Sequence, residues 1–504
     1  MDSNHPVLIG VAQFSDRNAS LESTQNPLEM LTRIAREAAE SSGVGQSLLA
    51  SLDTIALASI LGWKAKNPPQ LLADSIGAMP KNKISSHVGG ESALALTNRV
   101  AAKIVAGECE LGLVAGCNNL RTFALARKAG VNPDWPTGGD SLPEIVGTDT
   151  PGSSDAENAV GLVMPIQIYP IFENALRAAR GQSLAEHRDA MGELFHPFTT
   201  LAAANPHAWF PTERSARELA EVTSDNRMIC FPYTKYLNAV MTTDQAAGVL
   251  IASQAMARKL GVREENWIYW RGGAFEVEDP WFLSERPSYS ESPAMRSCHE
   301  RSLENSGLAL DEIGLIDFYS CFPSAVSMAC DMLGLSEDDP RGFTITGGLP
   351  YAGGPGNSYG FHALATAVTQ LREKTSEHAL LTGNGWYLTK HSATILSRQA
   401  SDRPLQSSSG ATTAPTDSRW STQPVTFESE AHGAAEIESY TIVHGRDGAP
   451  EKGIIIGRLN ESNRRFLANT PADPQLLGDL EETELIGTQG KVQFQNGLNV
   501  YRPA

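Results

Sequence analysis

The sequence is poor in cysteine, in positive charge and in long apolar runs, and each shortage closes off a class of function. Six cysteines are spread over 504 residues, at positions 109, 117, 230, 298, 321 and 330, with no CxxC pair. That is far below the density of a disulfide scaffold, so reduced thiols and a cytoplasmic setting are the expectation, with no metal site. Lys and Arg total 40 against 58 Asp and Glu, a net charge of −18. A surface of that sign excludes nucleic acid and anionic membrane as general partners. No stretch approaches the roughly 18 consecutive apolar residues of a membrane span. The first residues lack the charged start and apolar core of a signal peptide, and the final YRPA matches no prenylation, retention or peroxisomal signal.

What is present is an ordinary globular composition, 41% hydrophobic and 19% charged. A chain of this length predicts two or three domains, each with its own core. Residues 6–12 form a near-continuous apolar run expected of a buried strand. Residues 27–41 read as a helix, with Pro27 at the first position and apolar Leu28, Leu31, Ile34 and Ala35 on one face. Strands are expected over 55–61 and 110–116, with a helix over 93–106 between them. That alternation predicts an α/β fold with mainly parallel pairing. Over 121–242 the rhythm breaks, and this region reads as an inserted loop domain. Alternation resumes from Asp244, and the second half repeats the order of elements of the first, so the fold class is a duplicated αβ unit.

The expected division is an N-terminal half over 1–265, a C-terminal half over 266–399, a Ser/Thr/Pro-rich linker over 400–423 and a small β-rich domain over 424–504, OB-like or otherwise a barrel. Strands are expected there at 436–443, 453–458, 465–468, 484–487 and 491–494.

The stretch 317–362 has the composition of an active site. DFYSCFPSA, from Asp317 to Ala325, lies where a short apolar strand meets a helix, a junction at which free N–H groups stabilise an anion and lower a thiol pKa. GGLPYAGGPGNSYG, from Gly347 to Gly360, holds six glycines in fourteen residues, which permits close approach of a ligand to main chain.

These segments carry a resemblance. The GG…GGP…G loop is similar to the GG…GHP…G loop of the thiolase superfamily. YSCF at 319–322 resembles NEAF, or HDCF in the sterol-carrier type, and DQAA at 244–247 resembles the NDGAA segment. The region 228–235 is also similar to the sterol-carrier type. With its C-terminal extension the chain resembles thiolase-like proteins type 1 with an additional C-terminal domain. The resemblance implies a duplicated five-layer αβαβα fold over residues 1–397 that acts on acyl-CoA thioesters. No further cofactor is implied; coenzyme A thioester enters as substrate or ligand. Typical thiolases pair their subunits, and the sequence leaves the oligomeric state open.

The departures bear on mechanism. Counting back seventeen positions from Gly107, the end of the N-terminal-half helix, puts the family's nucleophilic cysteine at Gly90. A glycine cannot form an acyl-enzyme, and Ser92, two positions on, is a weak substitute without a nearby base. The GHP histidine falls on Gly354, the late CxG cysteine near 383–385, and the NEAF asparagine on Tyr319. Cys321 and His362 are therefore the candidate catalytic pair, each with a bland alternative as a buried core residue. Tyr319, Gly348, Gly354, Asn357, Asn384 and His391 are candidate substrate-binding positions. The two asparagines are possible oxyanion donors or simple turn residues, and His391 reads alternatively as a surface histidine. Lys235 and Arg271 are candidate contacts for CoA phosphates, with solvated surface charge as the alternative for either alone. Two readings follow: an acyltransferase of lipid metabolism using Cys321 and His362, or a catalytically silent CoA-thioester-binding protein whose C-terminal domain contacts a protein partner.

Overall fold

The computed structural model describes residues 4–139, 141–405 and 422–504. Most of the linker expected over 400–423 lies outside the described residues.

The strand Pro6–Ser15 is the centre of a ten-stranded sheet among the described residues. On one side it pairs with Asp244–Ser253, followed by Leu111–Asn119, Thr54–Leu57, Asn82–Ser86 and the short edge strand Glu144–Val146. On the other it meets Ile268–Val277, then Lys390–Ser397, His378–Gly385 and Leu315–Asp317. Counted along the chain, the two halves repeat one order. In the second half the segment 343–346 takes the place of a third strand beside Leu315–Asp317. The Phe318 N–H donates to the Phe343 carbonyl (2.9 Å), and the Ile345 N–H donates to the Asp317 carboxylate (2.9 Å). Pairing is mixed rather than mainly parallel. Strands joined through a crossover helix run parallel, while the strand closing each half returns antiparallel.

Helices fill the layers as their sequences dictate. Pro27–Ser41 carries a capping box in which Asn26 and Glu29 bond each other's backbone, and it buries Leu31, Ile34 and Ala35 on the outer face of the first half. Pro293–Ser306 and Pro323–Leu333 cover the outer face of the second half. Ser92–Val105 and Tyr359–Arg372 are buried almost all round, and they lie at the centre between the two halves. The result is the five-layer αβαβα arrangement.

The chain from 432 onward closes a five-stranded barrel. His432–His444 pairs with both Pro450–Leu459 and Gln489–Gln495, and the ring is completed by Arg465–Asn469 and Leu498–Pro503. The strand expected over 484–487 is a loop. It follows a helix, Pro474–Glu482, whose start is set by Pro474 and the Asp473 cap. The barrel is not free-standing. His432–His444 also pairs with Met228–Cys230, and it packs along the helix Pro165–Ala179. There the Ser439 hydroxyl donates to the Ile171 carbonyl (2.7 Å), and the Asn174 amide donates to the Tyr440 carbonyl (2.9 Å). Arg465, fully buried, binds Glu438 and donates to the Ser284 and Arg286 carbonyls. No described helix is long and apolar enough to cross a membrane.

Candidate functional site

A cavity of about 460 Å³ lies where the two halves meet under the helix Pro165–Ala179. Val88, Gly89 and Gly90 come from the turn before the first central helix. Tyr319, Cys321 and Phe322 follow the strand Leu315–Asp317. Leu349, Gly354, Gly356 and Asn357 come from the glycine-rich loop, and Asn384, Trp386 and Tyr387 from the last hairpin. Val163 and Met164, about half exposed, form the wall nearest solvent, and Tyr169 lies buried behind them. Among the described residues no Asp, Glu, Lys, Arg or His lines it.

Tyr319 explains why position 90 is glycine. A Cβ built on Gly90 would lie 2.1 Å from the Tyr319 hydroxyl oxygen, 2.4 Å from its Cζ and 2.4 Å from the Asn384 carbonyl oxygen. The phenol thus occupies the space into which a side chain at position 90 would project. Burial raises the Tyr319 hydroxyl well above the usual phenol range, with Cys321 and Glu91 adding to it, so it is a neutral donor.

The neighbouring glycines have a similar cause. Lys390 and Glu91 form a buried ion pair at 2.8 Å, and the ammonium also donates to the Val88 carbonyl (2.7 Å). A Cβ on Gly89 or Gly385 would run into this pair. Gly348, a candidate substrate contact, does not line the cavity; it sits at φ +76° against Phe198 and Ser320. Gly354, by contrast, lines the cavity, and a Cβ there would meet Val240 and Leu349 no closer than 3.4 Å, ordinary van der Waals contact. Much of the glycine content reflects the chain packing on itself, and only part of it gives access to a ligand.

Cys321 lines the cavity, but its thiol is not activated. Burial pushes it up to about 12; the Tyr169 hydroxyl and the local N–H groups oppose this without overcoming it. The expectation of a lowered thiol pKa at this junction is corrected accordingly. The helix dipole acts only through backbone donors, whereas desolvation acts on the whole charge.

His362 is not beside Cys321 and does not line the cavity. Its Nδ1 bonds Gln13 (3.0 Å) on the far strand, and burial, with His207 nearby, holds it down at about 3. Its neighbours Phe361 and Ala363 belong to the central core, and its side chain faces Gln13 on the strand Pro6–Ser15. Ser92 donates to the His87 carbonyl (3.2 Å). Lys235 bonds the Asp225 carbonyl and lies over Tyr236, while Arg271 ties down the carbonyls of Ser306, Gln399 and Ala400. Neither reaches the cavity.

Both asparagines do. The Asn357 Oδ1 accepts from the Gly89 N–H (2.9 Å), and its Nδ2 donates to the Ser59 carbonyl (2.6 Å), so its amide serves to pin two loops. Asn384 is different: Oδ1 meets His391 Nδ1 at 2.9 Å, and among the described residues no hydrogen bond uses Nδ2. His391 is neither a surface histidine nor a cavity residue. It is fully buried behind Asn384, with Nε2 3.4 Å from Ser292 Oγ and 3.6 Å from Glu278 Oε1.

Sequence reasoning missed Tyr169, Trp386, Tyr387, Glu278 and Arg286. Trp386 and Leu388 occupy left-handed backbone conformations, at φ +54° and +50°, that favour glycine. Arg286 holds this strained turn through the Tyr387 carbonyl (3.0 Å) and the Thr389 hydroxyl (2.8 Å). The GNG preceding Trp386 was the available signal.

Comparison with known proteins agrees with this geometry. The thiolase-like protein type 1 additional C-terminal domain matches residues 420–496. Over its whole length the chain is 34% identical to a monomeric SCP2-thiolase-like protein type 1 from Mycobacterium smegmatis, covering all of both chains with a TM-score of 0.84. An acetyl-CoA acetyltransferase from Syntrophomonas wolfei shares the fold at 15% identity and TM-score 0.58, over 79% of this chain and all of that one. A 3-ketoacyl-CoA thiolase from Aeromonas salmonicida (strain A449) is 27% identical over 253 residues, 46% of this chain and 56% of that protein. Sterol carrier protein 2 from Oryctolagus cuniculus is 24% identical over 190 residues, 34% of this chain and 32% of that protein. The matched segments thus span little more than half, and about a third, of those two proteins.

Proposed function

The chain belongs to the SCP2-thiolase-like proteins of type 1, and from that premise we propose that it binds an acyl-CoA thioester in the cavity beside Tyr319 and holds it without forming an acyl-enzyme. The observation that carries this reading is the side chain of Tyr319 filling the space beside Gly90. An acyl-enzyme needs a nucleophile with a base in reach. The described lining offers one thiol, raised by burial, and no titratable base.

Ligand class follows from the lining. The walls are apolar, and among the described lining side chains the donors without a protein partner are Asn384 Nδ2, the Tyr319 hydroxyl and the buried Trp386 Nε1. Such a site suits a neutral carbonyl on an apolar chain. A free carboxylate would be desolvated there without a counter-charge, at a cost of several kcal/mol. The acyltransferase alternative retains one observation, Cys321 at the cavity wall.

The barrel has an internal role in this account. Arg465 grips the Arg286 carbonyl, and the Arg286 side chain in turn holds the turn that bears Trp386 and Tyr387. A protein partner for the barrel's outer face is the second part of the scaffold reading. A single-chain species is expected, because the Mycobacterium smegmatis relative is described as monomeric.

The test is calorimetric titration of octanoyl-CoA into wild type and Gly354→Phe. Position 354 has room for a Cβ, so the variant should fold while its ring fills the cavity. Binding to wild type and its loss in the variant are expected. Absence of binding to wild type, or equal binding to both, contradicts the proposal.

A further inference from the structure

Behind the cavity lies a buried polar chain of which one member, Asn384, reaches the cavity. Asn384, at the end of His378–Gly385, presents its side chain to the cavity, and His391 on the adjacent strand is paired with it in register. Glu278, at the end of the next strand, faces His391 Nε2 at 3.6 Å and accepts from the Ser292 hydroxyl. All of these residues are nine-tenths or more buried. The other ionisable groups facing this cluster are Arg286 beside Glu278, His299 beside His391, and Glu276, the cross-strand neighbour of His391, which Arg301 neutralises.

An asparagine amide is ambivalent: one end donates and the other accepts. Which end meets the ligand is decided by what holds the opposite end. With a proton on His391 Nδ1, the only complementary arrangement puts Oδ1 toward the histidine and turns the Nδ2 donors toward the cavity. Without that histidine the amide is free to rotate, and the lone pairs of Oδ1 would then oppose a ligand carbonyl. Glu278, 3.6 Å from Nε2, balances the charge of a ring carrying protons on both nitrogens, the form in which Nδ1 donates to Asn384 while Nε2 faces a carboxylate.

We propose that His391 and Glu278 are positioning residues that set the polarity of the Asn384 amide, so that Nδ2 donates to the carbonyl oxygen of the bound thioester. This rests on the thioester reading above and adds a defined hydrogen bond and the residues that enforce it. His391 acts through Asn384 and does not touch the ligand.

The experiment uses full-length protein and octanoyl-CoA carrying 13C at the thioester carbonyl. Affinity is read by calorimetry, and the bound carbonyl stretch by difference infrared spectroscopy. Asn384→Ala is expected to weaken binding about tenfold, the worth of one hydrogen bond, and to move the carbonyl band to higher frequency. His391→Ala should do the same in both respects, and the double variant should be no weaker than either single one, since all remove the same bond. His391→Gln, which keeps a side-chain N–H donor and much of the volume, should restore the band toward wild type, and it serves as the folded comparison if His391→Ala is unstable. A wild-type band position in His391→Ala, or additive losses in the double variant, would overturn the assignment while leaving thioester binding intact. Failure of wild type to bind the probe at all would sink both.

Discussion

Replacing Gly90 tests the geometry at its tightest point. Gly90→Ala adds one carbon, which would lie 2.1 Å from the Tyr319 hydroxyl and 2.4 Å from the Asn384 carbonyl oxygen. The first neighbour belongs to a side chain bordering a cavity and is able to rotate. The second is main chain in a strand whose Asn384 is registered against His391, so it cannot yield without disturbing the sheet. Overpacking of this kind costs about 1–3 kcal/mol, and the main-chain clash puts Gly90→Ala toward the upper end. Urea unfolding followed by fluorescence and circular dichroism reads the loss as a lower midpoint. Adding Tyr319→Ala should recover only part of it, because the Asn384 carbonyl stays in place. Gly90→Cys, which restores a thiol at the position expected from the family resemblance, should be destabilised like Gly90→Ala and should not take up an acyl group. A Gly90→Cys protein of wild-type stability that becomes acylated would refute the argument.

Further consequences follow from the buried groups. Asp317 is raised to about 6 from 3.8, chiefly by burial, against hydrogen bonds from Ile345, Tyr359 and Thr344. Its folded form therefore holds the proton more tightly than its unfolded form. The associated stability is fully present below about 3.8 and is lost as pH rises through about 6, on the order of 3 kcal/mol in all; Asp317→Asn should remove that part of the pH profile in unfolding measurements. Alkylation of Cys321 by iodoacetamide, followed by peptide mass, should be slow at neutral pH and keep rising about tenfold per pH unit through pH 10, since burial holds the thiol at about 12; a plateau near pH 7 would contradict this. Among the described residues, Arg465→Met leaves Glu438 with Arg458 as its remaining cation and strands two main-chain carbonyls, each costing about 1–3 kcal/mol, a loss that limited proteolysis should register as early cleavage near the barrel.

How much of this was legible in the sequence depends on whether the cause is local. The helix Pro27–Ser41 is set by Asn26, Pro27, Glu29 and its own apolar stripe, and it has the expected bounds. The duplicated order of strands and the terminal barrel likewise follow from runs and turns. The helix Pro474–Glu482 was missed because only Leu477 and Leu480 of it are buried, too few to give a periodic signal. Within the site, Tyr319, Cys321, Gly354, Asn357 and Asn384 do line one cavity. His362 and Gly348 do not, since side-chain direction within a helix or turn depends on what packs against it from distant parts of the chain. The fit of Tyr319 into the space beside Gly90 joins the two halves of the duplication, and no pattern within either half encodes it.

The central claim is that the cavity holds a thioester and leaves it whole. Incubating the full-length protein, in excess, with octanoyl-CoA and following protein by intact mass and ligand by chromatography tests this directly. The account predicts bound octanoyl-CoA recovered intact and a protein mass unchanged over hours. An octanoyl adduct on Cys321, or release of free coenzyme A above the protein-free control, would contradict it.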